Sequence, residues 1–230
     1  MEQWINNLPP KLRLYDQTGC KVYRRDIYEV HIHYFAYLIE FFHLYGQTTH
    51  SSIASTASLV ASSCLARLYQ EIDDHDEINY LMPVHNWHLM VACAPQIHHD
   101  TVLQEEDDLT NAELDTFSMA LRCMRLKWPP ANNILATVDR LRTTKAYIPG
   151  EERRPSGYPR PTDCHSPPVT GLKGLFPFPQ DMCRRMELVD GGIDEDRNGV
   201  GGVAASGTLG AMDWIFDEFH QDLLDMPFVG

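Results

Sequence analysis

The chain has 230 residues, 43% hydrophobic and 10% aromatic, enough apolar material for a packed core. Lys and Arg number 19 against 32 Asp and Glu, and the resulting net charge of −13 repels a phosphate backbone and excludes nucleic-acid binding by this chain alone. The most apolar stretch, Val30 to Tyr45, is interrupted by His31, His33, Glu40 and His43, which excludes a signal peptide or a membrane span there.

Residues 1–20, with Pro9-Pro10, read as an N-terminal arm without regular structure. A helical domain is predicted over 21–148. Its first helix follows from Ile27, Tyr34, Leu38, Phe41, Phe42 and Tyr45, which recur at helical spacing up to Gly46, placed as a C-terminal cap. Such an aromatic stripe is more often core than the lining of a pocket.

Ser51 or Ser52 caps a second helix whose Ile53, Ala57, Val60, Cys64, Leu68 and Ile72 share one face, and Ala54, Ala61 and Ser62 allow close approach of a neighbour. Asp73-Asp74-His75-Asp76 interrupts the pattern. Pro83 then opens a third helix through Trp87, Met90 and Val91, with Pro95 bending or ending it. Thr110-Asn-Ala-Glu113 has capping-box spacing and predicts the start of a fourth helix through Leu114, Phe117, Leu121 and Met124. Trp128-Pro129-Pro130 ends it. Ile134, Leu135, Val138 and Leu141 give a fifth helix stopping before Pro149. No segment alternates as a strand would, so the expected class is all-α.

Residues 149–210 read as a disordered linker. Eight of the fifteen prolines lie between Pro149 and Pro179, and eleven of the fourteen glycines between Gly150 and Gly210, a composition poor in buriable apolar area. Within it, Asp194-Glu-Asp-Arg-Asn198-Gly199 copies the opening of a calcium loop, but the twelfth position is Ala205 instead of Glu, leaving an acidic turn-rich linker.

Residues 211–230 form an acidic-hydrophobic tail. Trp214, Ile215, Phe216, Phe219, Leu223 and Leu224 are interleaved with Asp213, Asp217, Glu218, Asp222 and Asp225, an amphipathic short helix whose acids keep it soluble until a hydrophobic groove on a partner takes it up. From Glu187 onward the chain holds ten Asp or Glu and one Arg, so most of its net charge belongs to this end.

The eleven histidines invite a metal reading. His31 and His33 point to different helix faces, and His85 and His88 share a face without an HExxH frame, so no metal ligand is assigned. No nucleophile elbow, P-loop or dinucleotide fingerprint occurs, and no catalytic residue is assigned. Cys20, Cys64, Cys93, Cys123, Cys164 and Cys183 are widely spaced and read as buried or free thiols of a reducing compartment.

The segment His31-Ile-His-Tyr-Phe-Ala-Tyr-Leu-Ile-Glu-Phe-Phe-His-Leu-Tyr45 resembles the helix of fungal zinc-cluster transcription factors that carries an LHxxYHxxxILLxRPF-like motif. The Ala-rich stretch Ala57 to Ile72, then Trp87 to Ala94, then Leu114 to Trp128 with Ala131 to Leu141, are similar to that family's later helices in the same order. The resemblance covers 28–143, roughly half the chain, and is to the fungal-specific middle homology region, of the kind found in xylanolytic-activator-like regulators.

It departs from the family at His43-Leu44-Tyr45-Gly46, where Arg-Pro-Phe is usual, and it lacks the six-cysteine, two-zinc module of CxxC type, as a C-terminal fragment or truncated paralogue would. The resemblance implies a nuclear regulator of transcription in which the helical region restrains or licenses activation, with a coactivator or a related transcription factor as partner. It implies no cofactor in this chain, zinc belonging to the missing module. Two alternatives stand beside it: a dimerising or inhibitory module acting through residues 22–145, and a ligand-binding protein or metalloenzyme using His85, His88, His98 or His99.

Overall fold

The computed structural model describes residues 1–16, 18–49, 52–98, 104–147 and 172–190. These residues are all-α: α1 Glu2–Asn6, α2 Arg25–Thr49, α3 Ser52–Asp74, α4 Val84–His98, α5 Gln104–Met124, α6 Ala131–Tyr147, α7 Leu172–Leu175 and α8 Glu187–Asp190. Short 3-10 turns cover Pro10–Leu12, Ile78–Tyr80 and Gln180–Met182. Among the described residues the only β pairing is an isolated bridge between Tyr15 and Lys21.

The five long helices coincide with the five periodic segments, because each carries a stripe that must be buried. Ile32, Phe35, Leu38 and Ile39 of α2 and Leu65, Leu68, Tyr69 and Ile72 of α3 are inaccessible to solvent or nearly so. So are Leu89, Val91 and Ala92 of α4, Phe117 and Leu121 of α5, and Ala131 of α6. Helix α3 is central, packed on α2, α4, α5 and α8, and its Ala57, Ala61, Ser62 and Cys64 are the small residues that admit close neighbours.

The end of α3 is built on Asp76, whose φ is +57°. The Glu77 N–H reaches the Ile72 carbonyl at 3.0 Å and the Asp76 N–H the Asp73 carbonyl at 2.7 Å, the two bonds of a Schellman cap. After α5, the Trp128 indole N–H donates to the Leu81 carbonyl at 3.1 Å, and α6 starts directly after Pro129-Pro130.

Four local expectations are corrected. Gly46 does not end α2, which runs on to Thr49. Pro95 lies inside α4 and neither ends it nor stops the turn that follows. Helix α5 begins at Gln104, six residues before Thr110, so Thr110 and Glu113 do not form a capping box; tertiary contacts claim both side chains. Finally, the N-terminal arm is anchored: Ile5, Leu8 and Leu14 are buried, and Trp4 stacks on Tyr34 with ring centroids 5.6 Å apart.

The largest departure concerns 172–190, within the stretch read as linker. These residues fold back onto the helical body and bury Phe176, Met182, Cys183, Arg185 and Met186. Composition misled here because the prolines and glycines of 149–210 were averaged over a segment whose few large apolar residues are concentrated. Burial of Phe176, Met182 and Met186 contributes about 1.5–3 kcal/mol each, against the ordering entropy of the segment.

Candidate functional site

The seat of 172–190 is the most elaborate polar arrangement among the described residues. It starts on α7, where the Gly174 carbonyl accepts from Asn6 Nδ2 at 2.9 Å and the Leu175 carbonyl from the Tyr34 hydroxyl at 2.8 Å. Phe176 then stacks on Phe35, with centroids 6.2 Å apart and planes 16° apart, and Phe178 lies 5.3 Å from Phe35 and 5.9 Å from the His31 ring. Pro177 and Phe178 close one side of a cavity of about 170 Å3 whose other walls include Leu8, Leu14, Tyr15 and His31.

Past the 3-10 turn, the Tyr15 hydroxyl meets Met182 Sδ at 3.5 Å, and Cys183 Sγ lies 3.5 Å from Cys64 Sγ of α3. Arg185 enters the interior. Its Nη2 donates to Thr110 Oγ1 at 2.8 Å, and its Nε lies 3.5 Å from Glu113 Oε2, an ion pair without the alignment of a hydrogen bond. The same Glu113 carboxylate accepts from Gln96 Nε2 at 2.5 Å and from the Ser63 hydroxyl. Burial pushes the Glu113 carboxyl up from its ordinary range, opposed by Ser63, Arg185 and Gln96. Thr110 and Glu113 are one turn apart on α5, so a single face of that helix receives the guanidinium. Arg185 is thus held by two residues of α5, and one of them, Glu113, is fixed in turn by Ser63 of α3 and Gln96 of α4, an arrangement that acts as a clamp.

A second polar group ties Lys21 and α2 to α3. Glu71 accepts from Lys21 Nζ at 2.8 Å, from the Tyr28 hydroxyl, and pairs with Arg67 at 2.6 Å. Burial opposes ionisation of Glu71, but the bonds from Lys21 and Tyr28 outweigh it and hold the carboxyl below its ordinary value. Lys21, Tyr23, Tyr28, Glu71, Asp74 and His75 line a shallow cavity of about 190 Å3.

The structure brings His85 and His88 together with His33: ring centroids are 4.4 Å apart for His33 and His88, 5.1 Å for His85 and His88, and 6.0 Å for His33 and His85. His33 Nδ1 bonds the Glu29 carbonyl at 2.7 Å and His85 Nδ1 the Tyr69 hydroxyl at 3.0 Å. His85 Nε2 and both nitrogens of His88 are buried without a hydrogen-bond partner. Burial, with His33 beside it, takes His85 down to about 3; burial, then His85 and His33, does the same to His88. Among the described residues no three His, Cys, Asp or Glu side chains are arranged to hold a metal ion.

His98 closes α4, and His99 lies outside the described residues. So do all six tail residues expected to contact a partner, Trp214, Ile215, Phe216, Phe219, Leu223 and Leu224. No described helix is long and apolar enough to cross a membrane.

No protein family, curated protein or solved structure matches this chain.

The residues that sequence reading missed are Arg185, Glu113, Ser63 and Gln96. The one available signal was the compact run Leu172 to Met186, where Leu175, Phe176, Phe178, Met182 and Met186 interrupt an otherwise polar stretch.

Proposed function

We propose that this chain is the non-enzymatic regulatory portion of a transcription factor of the fungal zinc-cluster type, acting in the nucleus. In this reading the helical body receives regulatory input, and residues 211–230 recruit a transcriptional coactivator through Trp214, Ile215, Phe216, Phe219, Leu223 and Leu224. No cofactor is assigned to the chain, and no contact with nucleic acid.

The observation that best supports the reading is the Arg185 clamp. By fixing 172–190 on α5, through a Glu113 that is itself bonded to α3 and α4, it ties to the helical body the segment that precedes the acidic end of the chain. A change in the body's packing would then reach the anchored segment from which residues 191–230 continue. The test is a fluorescence-anisotropy titration of a peptide spanning 211–230 against coactivator domains, beside a peptide with Phe219→Ala and Leu223→Ala. Binding by the first and not the second supports the reading; equal binding by both rejects it.

A dimerising or inhibitory module is the second reading, favoured by an aromatic surface on α2. Tyr37 and Phe41, one turn apart, are 50% and 48% exposed, and Tyr37 lies 5.7 Å from the Trp87 ring of α4. Deleting 211–230 would leave the activity of such a module unchanged.

A further inference from the structure

Cys64 and Cys183 stand on different elements with their sulfur atoms 3.5 Å apart, both side chains buried. Cys64 is held in the middle of α3, whereas Cys183 lies in extended backbone, φ −153° and ψ 164°, immediately after the 3-10 turn Gln180–Met182. A disulfide needs about 2.05 Å between sulfurs. Closing that gap moves Cys183 and leaves α3 wound, because the extended Cys183 is held by a single long turn bond, from the Met186 N–H to its carbonyl at 3.3 Å, where Cys64 sits in a full helical ladder. We propose that Cys64 and Cys183 form a reversible disulfide that locks residues 172–190 onto the helical body.

The two thiols are unequal, which sets the direction of attack. The Cys64 thiol donates to Cys183, and that bond lowers Cys183 below an ordinary thiol despite its burial; burial raises Cys64 well above one. Cys183 is the nucleophile and Cys64 holds the proton. With hydrogen peroxide as oxidant, the Cys183 thiolate attacks one peroxide oxygen, an S–O bond forms, the O–O bond breaks, and the departing hydroxide leaves as water after taking up a proton. The Cys64 sulfur then attacks the sulfenic sulfur, an S–S bond forms, the S–O bond breaks, and the hydroxyl leaves as a second water with the Cys64 proton. Two thiols and one peroxide give one disulfide and two waters, and a dithiol reverses the change.

Cross-linking positions 119 residues apart removes much of the freedom of the unfolded chain. Cys20 is exposed and serves as an internal control, since general surface oxidation strikes it first.

The experiment treats the full chain with hydrogen peroxide, alkylates the remaining thiols and maps peptides under non-reducing conditions, with thermal melting in parallel. The expected result is a linked Cys64–Cys183 peptide that dithiothreitol abolishes, with a Tm rise of about 10 °C in the oxidised form. Cys183→Ser removes both effects and Cys20→Ser neither. Both thiols remaining alkylatable, sulfinic acid at Cys183, or linkage through Cys20 alone would overturn the proposal. The wild-type peptide map decides the matter even if the buried substitution unfolds the chain.

Discussion

Arg185, arriving from the returning segment, sets its Nε 3.5 Å from Oε2 of Glu113 on α5, with the two side chains only 5% and 9% exposed. Removing one member of such a pair leaves the other charge uncompensated in the interior. Arg185→Ala is therefore expected to cost about 3–5 kcal/mol, read as a lower urea midpoint. The double change Arg185→Met with Glu113→Gln restores at least half of that loss, since the introduced amide carries no charge, its carbonyl accepting from Gln96 and its NH2 donating to the Ser63 hydroxyl oxygen. An Arg185→Ala midpoint equal to wild type would show that the clamp holds nothing.

Phe176 is 2% exposed and stacks on Phe35. Truncation to Ala removes that contact and leaves a cavity, with an expected loss of about 3–5 kcal/mol if the segment belongs to the core. Limited trypsin digestion gives the local reading: cleavage at Lys173, Arg184 and Arg185 accelerates in Phe176→Ala. Unchanged cleavage would mean that the phenylalanine is not what holds the segment down.

The histidine cluster predicts acid sensitivity. His85 and His88 ionise near 6.5 when unfolded but are held down to about 3 in the fold, chiefly by burial. Between those values the unfolded chain binds more protons, so the contribution is intact above pH 6.5 and falls as pH drops, by about 1.4 kcal/mol per pH unit for each histidine. Urea midpoints measured from about pH 7.5 to 5 are expected to fall steeply, and His88→Leu roughly halves the slope. It also relieves two unpartnered ring nitrogens, so no large loss is expected at neutral pH. Equal slopes in variant and wild type would contradict this assignment.

Asp76 carries the left-handed residue of the α3 cap. Glycine adopts that conformation without the Cβ penalty, so Asp76→Gly is expected to raise stability by about 0.5–1 kcal/mol, visible as a higher Tm. A lower Tm would indicate that the aspartate side chain supports the turn.

What was legible in the sequence were the long helices. Ile27, Tyr34, Leu38 and Phe42, or Val60, Cys64, Leu68 and Ile72, recur at intervals that a helix buries on one side, although Phe41 of the first stripe faces solvent. The ends and the returns were not legible, because they are specified by contacts between distant residues. Ile5 belongs to an element too short to show a period, Leu8 follows it outside any element, and Phe176 takes its place against Phe35. Thr110 and Glu113 had the right spacing for a cap, yet α5 starts earlier and both side chains turn to Arg185. The gathering of His33 with His85 and His88 needs α2 against α4, a relation that spacing along either helix does not contain.

The most direct test of a tail-borne activating function joins the full chain to a heterologous DNA-binding domain and measures reporter transcription with and without residues 211–230. Activation by the intact fusion that disappears on deletion is the predicted result. Equal transcription from the two fusions, whether high or absent, would contradict that function and leave the helical body as an interaction module.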